Sequence, residues 1–262
     1  MIFPALFAAA LPILFTGTDT AAYQKATAPG VRYRMNMAMA TSSPWVDSNL
    51  WRYQRNRQAS YLCDVKGKSV VTAMAEAYSM GVKLALQIAP EQQADFDKMT
   101  EFLKQVPDGP SKPWVNFTVS EDGSVQAGEV MNLLSRRSIP YSVAAKGDYS
   151  LTAKMTNAYE AMQDIREKLG DDKRVLRIFG SELTLAVAAR EGNRVRLHMV
   201  NYGQRPVEYL RIRVQGVFRE SNIKAYLYGG LTPKFKDFEA GKDYTEFTLE
   251  SLGPYAVLDL TQ

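Results

Sequence analysis

The chain has 262 residues, of which 46% are hydrophobic and 23% charged, and these proportions are typical of a globular protein and exclude global disorder. The length exceeds that of an average domain, so we expect two domains or one large one. The formal net charge of +4 resides in residues 1–60, which hold six basic and two acidic residues. Such a segment is either a solvated surface or a contact for an anionic partner, such as a phosphate, an acidic sugar or nucleic acid.

Residues 2–15 are almost wholly apolar, are interrupted by Pro4 and Pro12, and include three consecutive alanines at 8–10. This pattern predicts a short secretory signal over residues 1–15, and hence a secreted or periplasmic protein. The alternative is a buried first strand over residues 12–15. The run is too short for a membrane span, which needs about 20 apolar residues, so we expect no integral membrane span.

Residues 16–61 are polar, aromatic and aperiodic, and long segments of this kind are often functional. The mixture of flat rings and short polar side chains here is typical of sugar sites, where rings cover apolar sugar faces and polar groups bind hydroxyls. The candidate ligand-binding residues are Trp45, Asp47, Asn49, Trp51 and Arg52. The alternative is that the tryptophans only pack this segment onto the domain. One short aromatic and basic run is not a groove, so we expect no nucleic-acid partner.

From residue 64 onward, helical and strand patterns alternate. Helical spacing predicts helices over residues 69–80, 92–105 and 154–169, and another after the turn at 121–124. Apolar runs predict strands over 82–88, 114–119 and 139–144, and residues 146–150 are predicted to form a loop. This alternation is typical of a layered parallel-sheet α/β domain, which we place at residues 16–172.

After residue 172 the predicted elements are all strands, separated by glycine-containing turns. Short strands at this spacing predict an antiparallel β-sandwich over residues 173–262. Within it, alternation from Arg194 to Gly216 predicts two amphipathic strands that form a hairpin-like unit with one wet face. We expect His198 and the neighbouring arginines to point outward from that face.

Candidate catalytic residues are few. Glu76, Asp47 and Asp64 are the carboxylates that would supply the acid and base of glycosidic cleavage, a reaction that requires two carboxyls about 5–10 Å apart. The alternative for Glu76 is a surface position on its helix. The lone His198 lacks the companions that a metal site or a triad requires, and Cys63 has no histidine or sharp turn beside it. We therefore predict no metal, no cofactor and a structural role for Cys63.

Two stretches carry a resemblance to known families. Residues 194–216, with Asn201-Tyr-Gly203 and Pro206-Val207, and the closing Ser251-Leu-Gly-Pro-Tyr-Ala-Val-Leu-Asp-Leu260 resemble the C-terminal β-sandwich of bacterial glycoside hydrolases. Residues 115–144, with Gly128-Glu-Val-Met-Asn-Leu-Leu-Ser-Arg-Arg137, resemble the glutamine-amidotransferase-like α/β domain of trimerising β-galactosidases. The second resemblance implies a role in assembly, and hence a homo-oligomer, rather than amidotransferase activity.

The resemblance does not extend to a catalytic domain, because a complete (β/α)₈ barrel of about 250 residues does not fit before the sandwich. The family's catalytic residues are therefore not carried over. The sequence predicts an exported, carbohydrate-associated accessory or binding protein rather than a complete enzyme. The alternatives are a compact glycoside hydrolase that uses the three carboxylates, and a structural oligomerisation module.

Overall fold

The computed structural model describes residues 13–14, 22–36, 41–65 and 69–262. Five α-helices are found in these ranges: Leu50–Arg55 (α1), Ser69–Met80 (α2), Gln93–Gln105 (α3), Val125–Arg136 (α4) and Ala158–Leu169 (α5). The strands of the first part are Ile13–Leu14 (β1), Gln24–Ala26 (β2), Gly30–Asn36 (β3), Thr41–Asp47 (β4), Ser60–Asp64 (β5), Lys83–Gln87 (β6), Phe117–Glu121 (β7), Tyr141–Val143 (β8) and Tyr149–Leu151 (β9). No helix in these ranges is long and apolar enough to cross a membrane.

The first part of the chain is α/β, as predicted, and its parallel strands form two small sheets. One sheet has the order β1-β6-β5-β2 and the other the order β8-β7-β9, while β3 and β4 form a separate antiparallel hairpin. Residues 13–14 form the strand β1, which pairs with β6, so a strand is present in part of the stretch for which the alternative predicted one. The rest of the predicted signal segment, residues 1–15, lies outside the described residues.

The second part is an antiparallel sandwich. Its strands are Leu176–Phe179 (β10), Thr184–Glu191 (β11), Arg194–Asn201 (β12), Val207–Gln215 (β13), Ile223–Leu227 (β14), Phe235–Ala240 (β15), Tyr244–Leu252 (β16) and Tyr255–Thr261 (β17). They form two four-stranded sheets, in the orders β10-β13-β16-β15 and β11-β12-β17-β14. The predicted fold class, α/β followed by all-β, is confirmed. The irregular strand β15 was not predicted.

The predicted hairpin between residues 194 and 216 is wrong, because β12 and β13 lie in different sheets. Leu197 on β12 and Ile212 on β13 both point into the core between the sheets. The alternating apolar residues of the two strands therefore belong to two different sheet faces that both point inward, and not to a hairpin with one solvent-exposed face. The opposite face of β12 is not wet either. Arg196 and His198 are buried, because the α/β part covers that sheet.

One of the hydrophobic cores joins the two parts of the chain. It combines the buried face of α2 with residues of the sandwich sheet, including Leu185, Val200 and Val257. The segment before β7 adds backbone contacts: the amide of Trp114 donates to the carbonyl of Ala188 on β11 at 2.9 Å. The predicted domain boundary between residues 172 and 173 therefore divides two parts that share a core, and it stays a prediction.

The loop predicted over residues 146–150 is shorter than expected, because Tyr149 and Ser150 belong to β9. Two hydrogen bonds of Asp148 hold the loop against β7. The amide of Asp148 donates to the carbonyl of Thr118 at 2.7 Å, and the Asp148 carboxylate accepts from the amide of Thr118 at 2.8 Å. This close approach requires a glycine. A Cβ on Gly147 would lie 2.5 Å from the backbone nitrogen of Ser120.

We expect Gly147→Ala to lower the free energy of unfolding by about 1–3 kcal/mol, because the new methyl group meets backbone, which cannot rotate away. Urea denaturation measures this change. Gly30→Ala is the matched control, since a Cβ there meets nothing within 4 Å, and its effect should stay within about 0.5 kcal/mol. Equal stability of the two variants would contradict the close approach of the loop to β7.

Candidate functional site

The candidate ligand-binding residues lie on β4 and at the start of α1. The alternation of a strand places Trp45 and Asp47 on one face of the hairpin, opposite Val46, which packs into the core. Asn49 is the N-cap residue of α1, and Trp51 and Arg52 are in its first turn. The structure thus divides the five residues between a hairpin face and a helix.

Trp45 lies among guanidinium groups. The Cζ atoms of Arg34 and Arg136 are 5.3 and 5.2 Å from the centre of its ring, within the range of cation–π contacts. On the same hairpin face, Arg32 forms an ion pair with Asp47 at 3.2 Å. Burial lowers the pKa of Arg136, and the charge of Arg34 lowers it further. Among the described residues, neither Arg34 nor Arg136 has a carboxylate within ion-pair distance, so this face is basic and aromatic.

Trp51 fills a different role, because it packs against α4. A Cβ on Gly128 would lie 2.9 Å from Cζ3 of the Trp51 ring, so the helix and the indole are in close contact. Arg52 and Arg55 lie over the ring at 4.5 and 5.3 Å. Arg55 also forms an ion pair with Glu121 at the end of β7, at 2.9 Å. Trp51 therefore joins α1 to the second parallel sheet.

Asn49 and Glu76 form a buried polar network. The backbone amide and the side-chain amide of Asn49 donate to the two carboxylate oxygens of Glu76, each at 3.0 Å. Tyr202, at the end of β12, donates its hydroxyl to the same carboxylate at 2.6 Å. The hydroxyl of Tyr202 is also 3.1 Å from Oγ of Ser48. The network connects α2, the base of the hairpin and the sandwich.

Glu76 has 0% of its surface exposed, so the expectation of a surface position is wrong. The apolar neighbours that the sequence shows on both sides of it are buried with it because α2 is covered on nearly all faces. Burial raises the pKa of Glu76, and the hydrogen bonds from Tyr202, Ser48 and Asn49 oppose that increase. The carboxyl is thus held by short polar contacts in an apolar setting.

The three candidate catalytic carboxylates do not face a common opening. Glu76 is closed off from solvent, Asp47 is engaged with Arg32, and Asp64 is exposed at the end of β5. Glycosidic cleavage requires two carboxyls that flank the same bond. In this arrangement Glu76 cannot touch a substrate, and the described geometry offers no acid–base pair that includes it.

His198 is a core residue, not the exposed residue that its place in the alternation predicted. Its Nδ1 lies 2.6 Å from the hydroxyl of Tyr255, and the ring of Tyr78 meets it edge-on. Burial lowers the pKa of His198 to about 3, so the ring is neutral at physiological pH. Cys63 is also fully buried, and burial raises the pKa of its thiol to about 12. A thiol in this state is not a nucleophile.

The described residues contain no group of three or more His, Cys, Asp or Glu side chains that could hold a metal ion. Sequence reasoning missed the partner of Glu76, since Tyr202 is 126 positions away and no local pattern links them. The Ser48-Asn49 pair before α1 is the local sequence signal for the other part of the network, because such residues commonly bind backbone or buried polar groups at the start of a helix.

No protein-family model matches the sequence, and no curated protein matches it. Among solved structures, the chain is similar to an α-L-fucosidase isoenzyme 2 from Paenibacillus thiaminolyticus, with a TM-score of 0.51 and 8% identity over 80% of this chain. The match covers 62% of the fucosidase chain, so this protein corresponds to less than two thirds of that structure. At this identity the likeness concerns the fold alone.

A second structure is the catalytic module of a family 98 glycoside hydrolase from Streptococcus pneumoniae TIGR4. It matches 72% of this chain and 56% of its own, with 8% identity and a TM-score of 0.33. This score is too low to support a shared fold.

We expect Tyr202→Phe to lower the free energy of unfolding by about 1–3 kcal/mol, because the buried carboxylate of Glu76 loses its shortest hydrogen bond. Chemical denaturation at constant pH provides the measurement. Tyr33→Phe removes a hydroxyl from a side chain that is 67% exposed, so its effect should be within about 0.5 kcal/mol. If both variants unfold at the same denaturant concentration, the network does not support the junction.

The raised pKa of Glu76 also predicts a pH dependence. The folded state binds the Glu76 proton more tightly than the unfolded state, so stability from this group is present below the ordinary glutamate pKa of 4.5 and is lost as pH rises toward the folded value. Wild-type protein should therefore lose stability relative to Glu76→Gln as pH increases above 4.5. Urea unfolding of both proteins across this range measures the difference. A constant difference, or a difference that grows in favour of the wild type, would contradict the direction of the shift.

Proposed function

We propose that the protein is an exported, carbohydrate-associated accessory or binding protein, and not a complete glycoside hydrolase. The observation that carries the proposal is the face of the β3–β4 hairpin. There the half-buried ring of Trp45 lies beside the guanidinium groups of Arg34 and Arg136 and the ion pair of Arg32 with Asp47.

The chemistry of this face suits a sugar. An indole covers the apolar C–H face of a pyranose ring, while planar guanidinium and carboxylate groups bind hydroxyls in fixed directions. The excess of unpaired arginines over carboxylates favours glycans that carry acid groups. In this proposal Trp45, Asp47 and Arg52 remain the candidate contacts, whereas Asn49 and Trp51 support them from behind through Glu76 and Gly128.

The fold is consistent with the proposal. The combination of an α/β part with an antiparallel sandwich, and the likeness in fold to a fucosidase, support a carbohydrate-related role. Under this proposal residues 173–262 act as the glycoside-hydrolase type of C-terminal sandwich. Residues 16–172 act as a binding and assembly part that resembles the glutamine-amidotransferase-like domain, and the protein forms a homo-oligomer.

The burial of Glu76 favours binding over hydrolysis. A catalytic acid must reach the glycosidic oxygen of its substrate, and Glu76 is enclosed by Asn49 and Tyr202. The compact-hydrolase alternative would need Asp47 and Asp64 to act without it.

A glycan array that includes neutral and acidic glycans tests the proposal with the full chain. We expect retention of a subset of acidic glycans, and a loss of about 10-fold or more in affinity for Trp45→Ala, because a central tryptophan commonly dominates a contact surface. Tyr159→Ala is the matched control, since Tyr159 is a half-exposed aromatic residue on α5, and it should bind like the wild type. A blank array, or equal retention by the Trp45 variant, would overturn the proposal.

A further inference from the structure

A second site involves Arg57, which follows α1. Its Nε donates to the side-chain oxygen of Gln54 at 3.0 Å, and its Nη2 lies 3.7 Å from the sulfur of Met80. Among the described residues no carboxylate forms an ion pair with it. Burial lowers the pKa of Arg57 to about 10. A half-buried cation without a counter-charge is less favourable than one that an anion joins.

Arg57 lines a cavity of ≈ 40 Å³. The walls come from α1 and the residues after it, the end of α2, the segment before β7, the turn between α4 and β8 with its flanking residues, and strand β11 of the sandwich. Besides Arg57, the lining includes Gln54, Trp114, Ser135, Tyr141 and Val187. The cavity thus lies at the junction of the α/β part and the sandwich, where binding sites are common. By this measure one water needs about 10–15 Å³, so the space holds about three water-sized groups, which suits the oxygens of one acid group.

The charge of the cavity lining is positive. Arg57 is the only charged residue among the described residues around the cavity, and none of them is acidic. Outside the wall, the guanidinium of Arg190 lies over the ring of Trp114 at 5.0 Å. The local field therefore favours a negative group.

Some polar groups of the cavity lining have hydrogen-bond partners, and others have none among the described residues. Ser135 and Tyr141 both donate to the carbonyl of Met131, at 3.0 and 3.1 Å. Gln54 accepts from Arg57 through its oxygen, and its amide nitrogen has no partner among the described residues. The second terminal nitrogen of Arg57, Nη1, has none either. Two donors thus remain next to a space of the size of one acid group.

We propose that this cavity binds one oxyanion group, a carboxylate, sulfate or phosphate, through the guanidinium of Arg57 and the side-chain amide of Gln54. The group is either a free anion or the acid group of a charged sugar. Arginine binds such groups through two parallel N–H donors, which match two oxygens of a carboxylate, a sulfate or a phosphate. Gln54, Arg57 and Trp114 are half-buried members of the lining, so in this proposal an acid group on a larger molecule enters past them. The site does not depend on the hairpin face of Trp45.

The test measures the thermal unfolding midpoint of the full chain in sodium acetate, sulfate, phosphate and glucuronate, against sodium chloride at equal ionic strength. A ligand that binds only the folded state raises the midpoint, and we expect a rise of about 3 °C or more with at least one of these anions. A rise with acetate that equals the rise with glucuronate identifies a free anion site. A larger rise with glucuronate identifies the acid group of a sugar.

Variants separate the site from general salt effects. Arg57→Met should abolish the rise, and Arg57→Lys should keep part of it, because lysine retains the charge without the paired donors. Arg205→Met is the matched control, because Arg205 is exposed and its substitution removes the same charge. This variant should keep the full rise in the unfolding midpoint. Should Arg57→Met fail to fold, Gln54→Leu gives the second measurement, with a reduced rise.

No excess rise over chloride with any of the four anions would overturn the proposal. An equal rise in wild type and in a folded Arg57→Met variant, or in Gln54→Leu where that variant replaces it, would overturn it as well. Neither result bears on glycan retention by the Trp45 face, so failure here is distinguishable from failure of the proposed function.

Discussion

The packing of the two parts of the chain depends on one buried carboxylate. Glu76 lies in the middle of α2, has no exposed surface, and accepts hydrogen bonds from the start of α1 and from the end of β12. An unpaired charge at this place would be very unfavourable, so the three elements must meet in one arrangement. The apolar core around the network supplies the bulk of the burial, while the polar contacts specify which residues meet.

This constraint explains where candidate binding chemistry is found. Because Asn49 is fixed by Glu76, the β3–β4 hairpin leaves the core at a defined point, and Trp45 and Asp47 face away from it. Because the sandwich is packed against the same α/β part, a cavity remains between α1, α4 and β11, with Arg57 in its wall. Both candidate sites are thus consequences of the junction, and neither uses the ends of the parallel strands as an active-site edge.

The sequence predicted the fold class well, and the long helices best. Helix α2 begins and ends at the predicted residues, Ser69 and Met80, because its periodicity and the following glycine are local signals. The sequence predicted the wrong exposure where an element distant in sequence covers a strand face. Arg196 and His198 alternate with apolar residues as in an exposed strand, but α2 and the loop before Pro110 cover them. Likewise, the partner of Glu76 is more than a hundred residues away, and only the folded chain brings Tyr202 to it.

Under the proposed function, the hairpin face binds carbohydrate, and Glu76 holds the fold together without touching the ligand. In the most direct measurement, wild type and Glu76→Gln are each incubated with every glycan that the wild type retains. The assay quantifies the reducing ends released from the glycan and the fraction of glycan bound. The account predicts binding by both proteins, in proportion to their folded fractions, and no release by either. Release by the wild type that Glu76→Gln abolishes, with binding intact, would contradict it and identify Glu76 as a catalytic residue.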